Sequence, residues 1–351
     1  MESSAPQVPM RATMRDVAAR AGVSLKTVSR VMNAVSTVAP ELAERVHAAA
    51  AELGYRPNAT ASVIARSDGR SRSIGLILED IANPFSAAIL RAVQDAAWAR
   101  QILVVTGSAD EDIHQEQRLA RTLIDRRVDG LLVVPTGHDQ SYLAAEQRRG
   151  VPVVFLDRRP NLIAADAVIS DNREGAARAV RHLLRGGHRC VAYLGDRTSV
   201  ATANERWQGY EEALREAGLG IHEQFVRHGL LDSDSASAAA HEMLRRDDAP
   251  TAVFASQNLV TVGVIQALSA LGRQDQIALV GFDDLPLADV LQPGITTLAQ
   301  DPSQIGQLGA ELLLGRIEGD TSPPQLHVLP TELIERGSGE LSRRDEDRVP
   351  R

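Results

Sequence analysis

Short apolar runs alternate along this chain with stretches whose apolar positions recur every three or four residues. From Ser73 onward, "SIGLILED", "ILVVTGS", "DGLLVVP" and "VPVVFLD" have the length and β-branched content of buried parallel strands. Helical stretches near 84–100, 111–127 and 140–149 separate them, and Phe85, Ile89, Ala92, Val93 and Ala96 form the stripe of the first. The alternation resumes in "RCVAYLGD", "TAVFASQ" and "QIALVGFDD", with helices near 172–186, 203–217, 235–246 and 259–272. This pattern predicts two α/β lobes with parallel sheets. Ligands then belong at the carboxyl ends of the strands, in the cleft between lobes.

The first sixty residues follow a different period. Thr13 is placed to cap a helix that buries Val17, Ala18 and Ala21 and stops at Gly22, which tolerates the positive φ of a tight turn. Ser24 caps a second helix with Val28, Val31 and Met32 inward, leaving Leu25, Lys26, Ser29 and Arg30 outward. Two short helices at a glycine turn make a helix-turn-helix, whose second helix reads bases in the major groove. In a third helix Pro40 takes the first turn, Leu42, Val46, Ala49, Ala50 and Leu53 face inward, and Gly54 ends it.

Charge sharpens the division. The chain of 351 residues carries a net charge of -8, yet residues 1–72 are net +4 and residues 73–351 net -12. A basic module on an acidic body suits local contact with a polyanion. No apolar run reaches the roughly 18–20 residues that cross a bilayer, and "MESSAPQVPM" lacks the basic and apolar regions of a secretory leader, so a cytoplasmic protein is expected. Cys190 is the single cysteine, which excludes an intramolecular disulfide and a multi-cysteine metal site. Phosphate-loop, nucleophile-elbow and zinc-helix motifs are all missing, so neither an enzyme nor a cofactor or metal is expected.

"TMRDVAARAGVSLKTVSRVMN" followed by "ELGYRPNA" resembles the amino-terminal signature of the LacI/GalR family of bacterial transcription regulators. The resemblance implies an all-α helix-turn-helix head and a two-lobed periplasmic-binding-protein-like core. It divides the chain into a flexible start (1–12), head (13–57), hinge helix and linker (58–72), body (73–340) and disordered tail (341–351). Lobe 1 takes about 73–169 and 299–324; lobe 2 takes about 170–298 and 325–340. Leu25, Lys26 and Arg30 match base-reading positions, while Ser24, Thr27, Ser29 and Asn33 match positions that contact phosphates or orient the recognition helix. Ile64 stands where the family's hinge inserts a leucine into the minor groove.

In the body, Asp157, Arg158, Arg206, Gln257 and Asp283 match cleft positions that bind hydroxyl-rich ligands. Carboxylates accept from vicinal hydroxyls and guanidinium forks donate to sugar oxygens. Asn83 and Phe85 in "IANPF" match a cleft-edge motif of ligand hydrogen bonding and ring stacking, and Trp207 is a second stacking candidate. Gln257-Asn258 departs from the Asn-Asp common in the family. The expected function is a homodimeric regulator that binds double-stranded operator DNA as an inverted repeat, under a small-molecule effector of the sugar class. A solute-binding protein with no regulatory DNA role is the alternative, and it would require a secretory signal.

Overall fold

A computed structural model describes residues 12–32, 38–55 and 70–342. The chain divides into two compact units, Met1–Ser73 and Ile74–Arg351.

In the first unit, α1 (Met14–Ala21), α2 (Leu25–Met32) and α3 (Pro40–Glu52) enclose a small core. Thr13 and Asp16 exchange a capping box, Thr13 N–H donating to Asp16 Oδ2 at 2.7 Å and Asp16 N–H to Thr13 Oγ1 at 3.4 Å. Gly22 ends α1 at φ 64°, and Ser24 Oγ accepts the Thr27 N–H at 3.1 Å to start α2. Val17, Ala21, Val28, Val31, Val46 and Ala49 are buried together. Leu42, expected inward, is only half-buried and stays outside that cluster. Arg45 ties α3 to the end of α1, donating from Nη2 to the Ala21 carbonyl at 2.7 Å.

The second unit holds two six-stranded sheets. The first has the order β11-β5-β4-β3-β1-β2 and the second β12-β10-β9-β8-β6-β7. Strands β1 (Ser73–Leu78), β2 (Leu103–Ser108), β3 (Leu131–Val133), β4 (Val153–Asp157) and β5 (Asp166–Ser170) come first, followed by β6 (Val191–Leu194), β7 (Val226–Arg227), β8 (Ala252–Ala255), β9 (Ala278–Phe282) and β10 (Thr296–Ala299). The last two are β11 (Leu326–Leu329) and β12 (Glu332–Ile334). All registered pairs are parallel except β10 with β12.

Alternation along the strands feeds both faces. Ile74, Leu76 and Leu78 pack on one side of the first sheet and Ile77 on the other; Val191 and Tyr193 oppose Ala192 and Leu194 in the second. Helices α4 (Pro84–Trp98) and α11 (Pro302–Glu318) cover one face of the first sheet, with α5 (Ile113–Asp125) and the short α6 (Ala144–Arg148) in the remaining connections. Helix α7 (Asn172–Arg185) pairs with α8 (Ala201–Glu216) on one face of the second sheet, and α9 (Ser233–Leu244) with α10 (Asn258–Leu271) on the other.

Three crossings join the lobes, after β5, β10 and β11. Two are bound together: Asp171 Oδ1 accepts both the Thr331 N–H and its hydroxyl at 2.7 Å, and Arg178 Nη2 donates to Asp171 Oδ2 at 3.1 Å and Thr331 Oγ1 at 2.9 Å. The third crossing corrects a boundary drawn from sequence. Residues 326–329 pair with β5 in the first sheet and only 332–334 join the second, so the chain changes lobes at Pro330–Thr331 and not at 325. At the far end Leu341 still packs on the second lobe, its carbonyl 2.7 Å from His188 Nε2, while 343–351 lie outside the described residues.

Candidate functional site

On the first unit, α2 presents Leu25, Lys26 and Arg30 to solvent, with Thr27 and Ser29 half-buried beside them. Leu25 is 45% exposed, a large apolar side chain without a core role. Ser24 and Thr27 hydroxyls lie 2.9 Å apart and fix the helix start. Asn33 and Ile64 fall outside the described residues.

On the second unit, the carboxyl ends of both sheets face one cavity of about 70 Å³. Of the cleft residues named from sequence, Asn83, Phe85, Asp157, Arg158, Arg206, Gln257 and Asp283 line it. Asp157 and Asp283 occupy matching places: each ends or follows the β4 or β9 strand of its lobe, and each has left-handed backbone, at φ 64° and φ 69°. Such conformations cost a non-glycine residue energy that the surrounding packing must offset, and they concentrate at functional sites.

Both arginines are buried and held by protein groups. Arg158 meets Glu111 through Nη1 at 3.0 Å and Nη2 at 2.6 Å, and its Nε lies 3.4 Å from Asp157 Oδ2. Arg206 donates from Nε to Asn172 Oδ1 at 2.8 Å and from Nη1 to the Ser256 carbonyl at 2.9 Å. Its guanidinium lies 3.8 Å from the centre of the Phe282 ring. Asp283 accepts from Gln300 Nε2 at 2.6 Å. Gln257 caps α10, accepting the Val260 N–H at 3.2 Å. Asn83 caps α4, and its Oδ1 also accepts from Asn258 Nδ2 across the cleft.

Trp207 does not join them. It packs with its ring 4.9 Å from Tyr193, 5.2 Å from Tyr210 and 4.7 Å from His228, in the second-lobe core. Consecutive residues of a helix point about 100° apart, and with Arg206 in the cavity Trp207 falls on the side of α8 that packs against the core. Phe85 lines the cavity and also packs partly against the first-lobe core.

Besides the hydroxyls of Thr202 and Ser256, the lining holds four carboxyl or amide groups that the sequence pattern does not single out: Glu79, Glu111, Asp196 and Gln300. Each follows the carboxyl end of a strand, β1, β2, β6 and β10, so the rule that located Asp283 also locates them. Burial raises the Glu79 carboxyl to about 7, against the lowering pull of Arg158 and the bond from Ser86 Oγ. Asp157 and Asp196 are likewise pushed above the usual aspartate range by burial.

A second hollow lies at the amino ends of β6, β8 and β9, lined by His188, His222, Arg246, Asp248, Arg273 and Asp275 among others; the one along α9 is lined by that helix and the turn after it. Among the described residues, His182, Glu335 and Glu340 bring three possible metal-ligand atoms together. Within that group Glu340 Oε1 lies 2.6 Å from His182 Nε2, while Glu340 Oε2 accepts from Thr296 Oγ1 at 2.8 Å.

A helix-turn-helix unit and, further along the chain, a two-lobed body with a charged cleft define the class of ligand-responsive DNA-binding regulators. Residues 13–58 match the family "Bacterial regulatory proteins, lacI family", and residues 71–336 match "Periplasmic binding proteins and sugar binding domain of LacI family". The chain belongs to the LacI/GalR family of transcriptional regulators.

It is 30% identical to the HTH-type transcriptional repressor PurR of Aliivibrio salmonicida over 330 residues, covering 93% of this chain and 98% of that protein. With PurR of Erwinia tasmaniensis it shares 32% over 332 residues, covering 93% and 96%. The structure resembles the Lac repressor dimer bound to operator and the anti-inducer ONPF, with a TM-score of 0.81 at 28% identity, covering 94% of this chain and 99% of that one. It also resembles a complex of the transcriptional regulator CelR with cellobiose, with a TM-score of 0.69 at 34% identity, covering 93% and 100%.

Proposed function

We propose that this protein is a homodimeric repressor of carbohydrate-utilisation genes, whose hold on an inverted-repeat operator is set by a sugar or sugar-like effector in the interlobe cleft. The observation that carries the effector half is the convergence of Asp157, Arg158, Arg206 and Asp283 from both lobes on one cavity. Carboxylates and guanidiniums at fixed positions suit the dense donors and acceptors of a polyol. The relative solved with cellobiose supports the same class.

On the DNA side, Lys26 and Arg30 donate to base edges and Leu25 offers apolar contact, for instance to a thymine methyl, while Ser24, Thr27, Ser29 and Asn33 contact phosphates or orient the helix. Residues 58–72 act as the hinge, with Ile64 as an apolar wedge in the minor groove. The proposed partner copy covers apolar surface on the first lobe: Trp98 at the end of α4 is 78% exposed and Leu103 on the edge strand β2 is 62% exposed. The protein works in the cytoplasm, where its operator is.

The test is selection of bound sequences from a random DNA pool by the full-length protein at moderate salt, with and without a panel of sugars. A two-fold symmetric site whose recovery changes with one sugar is the expected outcome. If no sequence emerges while a sugar still raises the melting temperature, the body is a binding protein with a silent head.

A further inference from the structure

The cleft is unbalanced in charge and in hydrogen-bonding capacity. Glu79, Glu111, Asp157, Asp196 and Asp283 line it against two cations, Arg158 and Arg206. Glu111 and Asp283 alone match the two guanidiniums in number, so no positive charge is left over. An incoming anion meets no unpaired cation in that low-dielectric cavity, and each further carboxyl that ionises favours a cation.

Nor is either guanidinium left with a fork to clamp an acid. Glu111 takes both terminal nitrogens of Arg158, and the Pro135 carbonyl lies a further 3.2 Å from Nη1. Arg206 is anchored through Nε to Asn172 and through Nη1 to the Ser256 carbonyl, over the Phe282 ring, with Nη2 left to donate singly to a hydroxyl. Side-on bidentate capture of a carboxylate or phosphate would require breaking these bonds.

Acceptors, by contrast, are in surplus. Asp157 Oδ1 and Gln300 Oε1 are buried without a protein donor, and Asp157 is only 5% exposed. The one donor atom of the cavity in that condition, Arg158 Nε, sits beside Asp157 Oδ2. A buried acceptor without a donor is costly, so a ligand that brings hydrogens recovers that cost on binding.

From this surplus we infer that the effector is a polyol without negative charge, recognised chiefly as a hydrogen-bond donor, and that phosphorylated sugars and sugar acids are rejected. In a matched series the affinity order is amine-bearing sugar, then neutral sugar, then anionic sugar. The inference rests on the cleft being the effector site.

The experiment is a thermal-shift comparison on the full-length protein at low salt with matched sets: glucose, glucosamine, gluconate and glucose 6-phosphate; ribose and ribose 5-phosphate; cellobiose and cellobionate. A neutral or aminated member should raise the melting temperature, and its anionic counterpart should bind at least tenfold more weakly. Replacing one rim carboxylate, Asp196→Asn, should narrow that gap. An anionic member that binds as well as its neutral counterpart overturns the inference, and silence from every hydroxyl-bearing member overturns the polyol class. The cleft reading fails separately: a neutral sugar whose shift survives in Arg206→Ala and in Asp283→Asn, both verified as folded by circular dichroism, binds somewhere else.

Discussion

Asn258 of the second lobe donates from Nδ2 to Oδ1 of Asn83 in the first, 2.7 Å away. That same oxygen accepts the Phe85 N–H that opens α4, and Asn258 Oδ1 accepts the Leu259 N–H at the start of α10. Two helix starts are therefore joined across the cleft by one pair of amides. Asn258→Ala removes the tie and leaves the Gln257 cap in place. Denaturant unfolding should show a loss of about 1 kcal/mol, and small-angle scattering of the effector-free protein should show a larger radius of gyration. An unchanged radius would mean that other contacts set the closure.

Arg206→Ala should abolish the effector response while leaving operator affinity within about twofold, as measured by fluorescence anisotropy with and without effector. The substitution leaves Asn172 Oδ1 and the Ser256 carbonyl without their donor, so a stability loss of roughly 1–3 kcal/mol accompanies it. A normal response would remove Arg206 from the binding set.

Lys26→Ala should weaken specific operator binding by ~1–3 kcal/mol and relax preference at one base position. The exposed position of Lys26 on α2 means that this loss comes without loss of core packing. Uniform weakening on all sequences, with the base preference kept, would reassign Lys26 to a phosphate contact.

Glu79 gives stability a pH dependence of definite sign. Its folded carboxyl keeps the proton to about 7, against 4.5 for an ordinary glutamate. Below that lower value both states are protonated. Between the two values only the folded state holds the proton, so unfolding releases it and stability falls as pH rises, levelling off above about 7. Glu79→Gln should flatten this slope and stabilise the protein at pH 8 by on the order of 1–3 kcal/mol, read by thermal or urea unfolding. A wild-type slope in the variant would place the titrating group elsewhere.

Period and burial made most elements readable in the sequence. Apolar runs such as "SIGLIL" are buried on both faces and announce themselves; β11 does not, because it is an edge strand with Leu326 and Val328 about half exposed. Its pattern therefore does not reveal which lobe it joins. In the cleft, Asp157 and Asp283 stood out because each directly follows a long apolar run. Glu79 and Asp196 follow equally apolar strands, β1 and β6, yet a carboxylate in a turn looks the same whether it faces solvent or a cavity. Trp207 went the other way: Tyr210 three residues on and Leu214 seven residues on mark its side of α8 as the core side.

Lys26 is the chain's single lysine, and it lies on the exposed face of α2. Reductive methylation with isotopically labelled formaldehyde would therefore install one side-chain reporter, the N-terminal amine aside, on the helix proposed to meet DNA. One resonance would then follow the approach to DNA and the direction in which effector shifts it, with no cysteine engineering and no spectral assignment of the remaining residues.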